Sequence, residues 1–496
     1  NIKFKDSVFD KNRANATSKY AGGGKYYSYG GAVCFMSTVS GLSFDNTNFT
    51  ENSIYAYAIS TNNPTQAYGA AIYIGSTTGN INFTDCHFID NDASYGGNGE
   101  SYCGAIRFES TSILENLNFI GCEFTNNRAT NGYGVMNFVV DVNNAKFINT
   151  SFNNNTGPNS AVEFTQTVSN TIFNNVTFFN NTNTKENTGS GISSNGGAIS
   201  FMGKVTDVDI KDSKFLKNNA KKGYAGAVIF YNGGSNIDIQ NTAFKENIAN
   251  NGGGALLFYT QNTNGISFDR VNISYCTFDS NELLSAAAYG GAVYFFNAPT
   301  TNLYMINSTF INHTAQSGGA VMFYSTGSGK TYNYINIIDS NFTKNNCTGT
   351  DLYGGSAVAF NRVDNLVIDN TVFDKNHASN QGAVMFDYYY KVNITNSQFN
   401  NNVAERTGGS AVYMYRPANN NANSGISIID SSFDSNSGAG DNGGVIYFYS
   451  SDSNTYYNYN TEIVGCNFTN NGIYNSYTNS QYSVIYWSYA VNGLIN

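Results

Sequence analysis

The sequence is short of charge. Lys, Arg, Asp and Glu make up 12% of its 496 residues, about half the share usual in soluble domains. The balance is acidic, at −9. No cluster of Lys or Arg interrupts it, which argues against a nucleic-acid partner. Long apolar runs are also missing. None approaches the ~20 residues of a membrane-spanning helix, so no membrane insertion is expected of this segment. The chain opens Asn1-Ile2-Lys3-Phe4, which reads as a strand and not as a signal peptide. Tryptophan occurs once, as Trp487. Three histidines, His87, His313 and His377, lie far apart, so a converging metal-ligand set is not expected. Seven cysteines without paired spacing argue against a disulfide framework, and buried free thiols are the expectation. Nothing implies a cofactor.

Asn, Gly, Tyr and Phe fill the space. Asn accounts for roughly one residue in six, and there are 50 Gly, 37 Tyr and 36 Phe. Disordered chains lack aromatics and β-branched residues, so disorder is excluded despite the polarity. This composition fits a secreted or surface-exposed β-protein.

The order within the chain is a repeat. A Phe followed three places on by Asn recurs from Phe9 to Phe468 in fifteen copies, about 33 residues apart. Phe215 and Asn218, Phe244 and Asn247, Phe278 and Asn281, Phe342 and Asn345, and Phe373 and Asn376 are clear pairs. One copy departs, with His313 following Phe310. Before each Phe runs an alternating stretch such as Asn236-Ile237-Asp238-Ile239, the mark of a strand with one buried face. Asp or Asn usually stands three places before the Phe, where it can turn the chain. A small residue, mostly Ser, Thr or Cys, stands two places before it and is expected to point inward. After the Asn comes a loop of variable length, then Gly-Gly-Ala, an aliphatic residue, a variable one and usually Phe. Gly382-Ala383-Val384-Met385-Phe386 is one copy.

One such unit cannot bury its own apolar face, whereas stacked units can. The sequence therefore predicts an all-β solenoid, a right-handed parallel β-helix of about fifteen coils of roughly 33 residues. Variable loops should sit along one edge, with Phe on Phe and Asn on Asn forming ladders. Residues 1–496 are expected to form a single domain. At about 4.8 Å per coil its length is roughly 70 Å. Both ends look like interrupted coils, which predicts either a segment of a longer surface protein or a subunit that stacks end to end.

The paired Phe-x-x-Asn and Gly-Gly-Ala-Ile signatures resemble those of polymorphic outer membrane proteins. They are also similar to the repeats of adhesin-like surface proteins of methanogenic archaea. The resemblance covers nearly the whole chain and implies a pectin-lyase-like β-helix displayed on a cell surface and used in adhesion. The C-terminal membrane barrel of the outer membrane family has no counterpart in this sequence.

Such a scaffold serves as an adhesin or stalk, as a filament or sheath subunit, or as a polysaccharide lyase or hydrolase. Hydrolysis needs two carboxylates about 5 to 10 Å apart. At the variable place of the Gly-Gly-Ala strand, read as outward-facing, Glu163 is the sole carboxylate, two coils from Arg107. Loop acids such as Glu100, Asp351 and Asp441 form no organised group. The chain is therefore expected not to be an enzyme. Aromatics are the leading surface feature. Tyr413, Tyr447 and Tyr486 occupy equivalent positions, as do Tyr415 and Tyr449, and Tyr456, Tyr457 and Tyr459 lie nearby. Outward tyrosine ladders can meet sugar rings or protein surfaces. These five equivalent tyrosines are the candidate binding surface, for a glycan or protein of a host or neighbouring cell.

Overall fold

The structure is a computed structural model. It describes the chain apart from residues 19–25, 59–64, 131, 186–195, 262–265, 327–330, 351–353, 407, 418–423, 440–443, 450–459, 475–482, 488–492 and 496. Asp351, Asp441, Tyr456, Tyr457 and Tyr459 thus lie outside the described residues. The chain divides into two compact units, Asn1–Asn250 and Asn251–Asn496.

Within the first unit, one coil shows how the sequence sets the fold. It runs through the strands Met136–Val139, Val142–Ile148, Ser151–Asn153 and Thr156–Gly157. The next coil repeats the order, and every strand pairs in parallel with its equivalent. Phe138 registers on Phe164, Phe147 on Phe173, Phe152 on Phe178 and Thr156 on Thr182. The alternating stretch before each Phe buries one side in this register, as its period of two requires. The second unit repeats the plan. Its strands Val358–Asp369, Val372–Asp374 and His377–Ala378 pair in parallel with Val384–Thr395, Gln398–Asn400 and Val403–Ala404. Each unit is therefore a parallel β-helix with stacked coils.

Two devices fill the interior. The first is phenylalanine. In the first unit Phe124, Phe152 and Phe178 stack with centroids 4.7 Å apart and planes within 6°. Face-on stacking opposes like quadrupoles, and neighbouring ladders offset this by meeting edge to face. Phe119 approaches Phe124 at 5.8 Å and 69°. In the second unit Phe278, Phe310 and Phe342 repeat the stack at 4.7 and 4.6 Å. The second device is the asparagine three places on. Asn127 Nδ2 donates to Phe88 O at 2.8 Å, closing the turn of the preceding coil. The same Nδ2 and the backbone N donate to Asn155 Oδ1 at 3.1 and 3.0 Å. Its own Oδ1 accepts from Asn91 in the same way. Each buried amide thus satisfies its coil and links it to both neighbours.

Asn also works outside. At the place three before the Phe the backbone is left-handed, with φ near +50° at Asn46, Asn149, Asn175 and Asp212. Asn and Asp tolerate this region better than other side chains. Their side chains form a ladder of their own: Asn175 Nδ2 donates to Asn149 Oδ1 at 2.9 Å, and Asn241 Nδ2 to Asp212 Oδ1 at 2.6 Å. The small residue next along turns inward as expected. Ser213 is buried, donates to Lys211 O and accepts from Val176 N. All seven cysteines are free, and five are buried.

Candidate functional site

The Gly-Gly-Ala strand places its variable residue on the side opposite the phenylalanine core. Alternation alone predicts that this side is solvent-exposed, and the structure corrects that expectation. Tyr73, Arg107, Asn137, Glu163, Tyr294 and Met385 are all buried there. Residues of the variable loops lie over them. In the first unit Tyr27–Tyr29, Gln66–Tyr68 and Glu100–Tyr102 pair as a small parallel sheet. Tyr29 meets Tyr73 at 4.6 Å, and Tyr102 stacks on Tyr68 at 5.1 Å.

Beneath this cover lies a polar cluster that reading the column alone missed. The Arg107 guanidinium sits over Tyr68, Tyr102 and Tyr133 at 4.6, 5.5 and 5.2 Å, within cation–π range. Its Nε donates to Glu109 Oε2 at 3.0 Å and its Nη1 to Asn137 Oδ1 at 3.4 Å. Asn137 Nδ2 then reaches Glu163 Oε2 at 3.3 Å, and Asn159 Nδ2 lies 3.2 and 3.0 Å from the two carboxylate oxygens. Arg107 and Glu163 are joined across two coils by an amide, not by a second acid. Burial pushes the nearby Cys103 thiol up to about 12, against the opposing pull of Arg107. A neutral, enclosed thiol is a poor nucleophile. The cluster is built as an interior network in which Arg107 and Glu163 both find partners, while Asn159 Oδ1 is buried without one among the described residues.

The five expected surface tyrosines are brought together, but as a packed stack. Tyr413 meets Tyr447 at 5.3 Å, Tyr447 meets Tyr486 at 5.1 Å and Tyr415 meets Tyr449 at 5.3 Å. Tyr413 and Tyr447 keep 4% of their surface and Tyr415 keeps 7%. Tyr449 and Tyr486 are half-buried. Ring faces that would meet a partner are taken up by one another.

The exposed aromatics lie elsewhere. In the second unit Tyr275, Tyr304 and Tyr334 are 55%, 37% and 53% exposed. They belong to consecutive coils of the alternating strand. Tyr304 stands in register between Asn272 and Asn336, so amides flank its ring on both sides. Sequence reasoning passed over this group because no two of its members are equivalent positions.

Carboxylates of adjacent coils meet across a lysine in a way the sequence reading overlooked. Asp209 and Asp238 stand in register on adjacent coils, and Lys211 Nζ bridges them at 3.2 and 3.0 Å. Burial alone would lower the lysine pKa, but the two acids outweigh it and raise the value. Among the described residues no group of three or more His, Cys, Asp or Glu is placed to hold a metal. His313 is buried in the asparagine ladder, while His87 and His377 face Glu123 and Glu405 at the surface. No helix among the described residues is long and apolar enough to cross a membrane.

Strand register places the chain among parallel β-helices. No protein-family model matches the sequence, and no curated protein does. Two solved structures of the Streptococcus pneumoniae surface adhesin PfbA are similar to it. One aligns at 11% identity over 86% of this chain and 91% of that one, with a TM-score of 0.35. The other aligns at 13% identity over 82% and 85%, with a TM-score of 0.34. A PL6 family alginate lyase, AlyGC in a mutant form, aligns at 7% identity over 97% of both chains, with a TM-score of 0.16.

Proposed function

We propose that the chain is a non-catalytic, extracellular β-helix displayed on a cell surface, where it acts as an adhesin or stalk. The observation that carries this reading is the division of labour within each coil. Repeated positions are spent on interior ladders, and large aromatics stand exposed on the outer face of regular strands, as Tyr304 does between Asn272 and Asn336. Rigid strands hold such side chains in fixed relative positions, which suits repeated contact with an extended partner. The low share of charge fits the same role. The partner is a glycan or protein of a host or neighbouring cell. The resemblance of the repeats to those of outer membrane and archaeal adhesin-like proteins points the same way.

Beads coated with the full chain test the reading against cells. Saturable attachment, competed by soluble chain, is the expected result. Beads that attach no better than albumin-coated ones overturn it. Two other outcomes favour the alternatives. Regular polymers of the purified chain in negative stain favour a filament subunit. Cleavage of a polysaccharide that Asp209→Asn or Asp238→Asn abolishes favours a glycan-active enzyme.

A further inference from the structure

Three left-handed backbone positions carry the argument. Three places before the Phe, the fifteen coils hold Asp or Asn twelve times and Gly twice, at Gly121 and Gly465. The remaining one is Tyr275, at φ +54°. At a second recurring left-handed place, ahead of the alternating strand, Asn80, Asn116, Asn144, Asn170, Asp207, Asn236 and Asn302 are the rule; a third, two after the Phe, takes Lys and Glu as well, as at Lys217 and Glu246. Besides Gly41, the departures at the second place are Arg270 and Tyr334, at φ +52° each. A bulky side chain is disfavoured in this region, and neither tyrosine can supply the amide rung that Asn gives. Three such departures thus fall within three consecutive coils, and two of them, Tyr275 and Tyr334, are exposed aromatic rings. At these two places the tyrosines depart from the residue that the rest of the chain uses, which makes them candidates for a role outside the fold.

Tyr304 lies between them. From the register, Tyr275 is three residues along and one coil below, about 11 Å away, and Tyr334 is two residues back and one coil above, about 8 Å away. The three rings form a diagonal row about 20 Å long. Asn272, Asn302 and Asn336 flank the central ring, and Ser274 and the half-buried Ile306 lie between Tyr275 and Tyr304. Among the described residues the cation on this face is Arg270, which faces Asp269 at 3.5 Å.

We propose that Tyr275, Tyr304 and Tyr334 form a binding row for a neutral glycan chain. This rests on the adhesin reading and names the partner's chemistry. A sugar ring offers an apolar C–H face to an aromatic plate and hydroxyls to flanking amides, which this row supplies in alternation. A protein partner needs a contiguous apolar centre from which water is excluded, and here the central ring is flanked by amides on the coils above and below. An acidic glycan is disfavoured by a face whose described cation already meets an aspartate, on a chain of net charge −9.

The test sets the intact chain against an array of neutral oligosaccharides (glucans, mannans, xylans and galactans) and of sialylated, sulfated and uronic acid ones. Tyr275→Asn and Tyr334→Asn restore the residue that the neighbouring coils use, so both variants are expected to melt at or above the wild-type temperature. Tyr304→Ala removes the central ring. Each substitution is expected to weaken binding to a neutral glycan about tenfold, with folding intact. The proposal is overturned if the wild type binds no neutral glycan, or if the triple variant binds one within about twofold of wild type. Cell attachment, measured in parallel, separates the two readings. Attachment that survives the triple substitution sinks the tyrosine row alone. Absence of attachment by the wild type sinks the adhesin reading, while the array still decides whether the row binds sugar.

Discussion

Asn127→Ala tests the interior ladder at a point where every contact is known. The side chain is fully buried. It donates to Phe88 O and to Asn155 Oδ1, and it accepts from Asn91 N and Nδ2. Alanine removes these four bonds and leaves the partners enclosed without replacements. At about 1 kcal/mol net for each, the loss is about 4 kcal/mol. Asn127→Asp is the sharper variant, because it keeps the shape and the acceptor but loses both donors. Its carboxylate would face Phe88 O and Asn155 Oδ1, two oxygens, in a buried site. The folded pKa of the new acid is therefore raised above the unfolded value of about 3.9. A raised folded pKa means stability that is fully present below the unfolded pKa and lost as pH rises through the folded one. The variant should approach wild type near pH 4 and fall furthest behind at pH 7. Denaturant melts followed by far-UV circular dichroism, with amide exchange around residues 88–155 as a local readout, measure both effects. A loss under about 1 kcal/mol for the alanine variant, or an aspartate variant whose deficit does not change with pH, would refute the account of the ladder.

Other perturbations probe the remaining parts. Phe244 is fully buried and stacks on Phe215 at 4.9 Å, so Phe244→Ala should cost about 3 to 5 kcal/mol in the same melts; under about 1 kcal/mol would put it outside the core. His313 replaces a ladder amide, with its ring nitrogens 3.4 Å from Asn281 O and 3.2 Å from Phe278 O. Burial outweighs both carbonyls and lowers its pKa to about 4. Protonation then favours the unfolded chain, so stability held above about pH 6.5 should drain away toward pH 4, by on the order of 3 kcal/mol. His313→Asn should remove that slope, and equal pH dependence in the two proteins would contradict it. Tyr413→Ala should destabilise the chain by about 3 kcal/mol because the ring is packed between neighbours; a variant that melts like wild type would return Tyr413 to the free surface.

Much of the fold was legible because the same few residues recur in phase. The Phe and Asn ladders, the inward small residue and the turn at Asp or Asn could be placed from spacing alone, since a period of two fixes which side a residue takes. Spacing says nothing about what lies over the outer side. Tyr73 and Tyr413 alternate correctly outward, yet other residues cover them: the loop tyrosines Tyr29 and Tyr68 lie against Tyr73, and Tyr447 and Tyr449 of the next coil against Tyr413. Nor does it reveal partners that meet only through register. Arg107, Asn137 and Glu163 are separated by 30 and 26 residues in sequence and become neighbours only when coils of unequal length stack. The exposed row was hidden for a related reason. Tyr275, Tyr304 and Tyr334 occupy three different places in the repeat, so aligning the repeats disperses them, and only the left-handed backbone at two of them marks them as exceptions.

This distinction decides where in a coil a partner can bind. A residue such as Tyr73 or Arg107 on the Gly-Gly-Ala strand has the phenylalanine core on one side and loop residues on the other, so changing it alters stability first. The Arg107 cluster illustrates the outcome: three tyrosines, a carboxylate and an amide are all spent on one guanidinium. The alternating strand has the core on one side only. Its outward residues, such as Asn272, Tyr304 and Asn336, can change without leaving a cavity. Selection for a ligand can therefore act on that face without disturbing the ladders that hold the coil. Where it does disturb the backbone, as at Tyr275 and Tyr334, the strain is confined to single turns that the neighbouring coils hold in place.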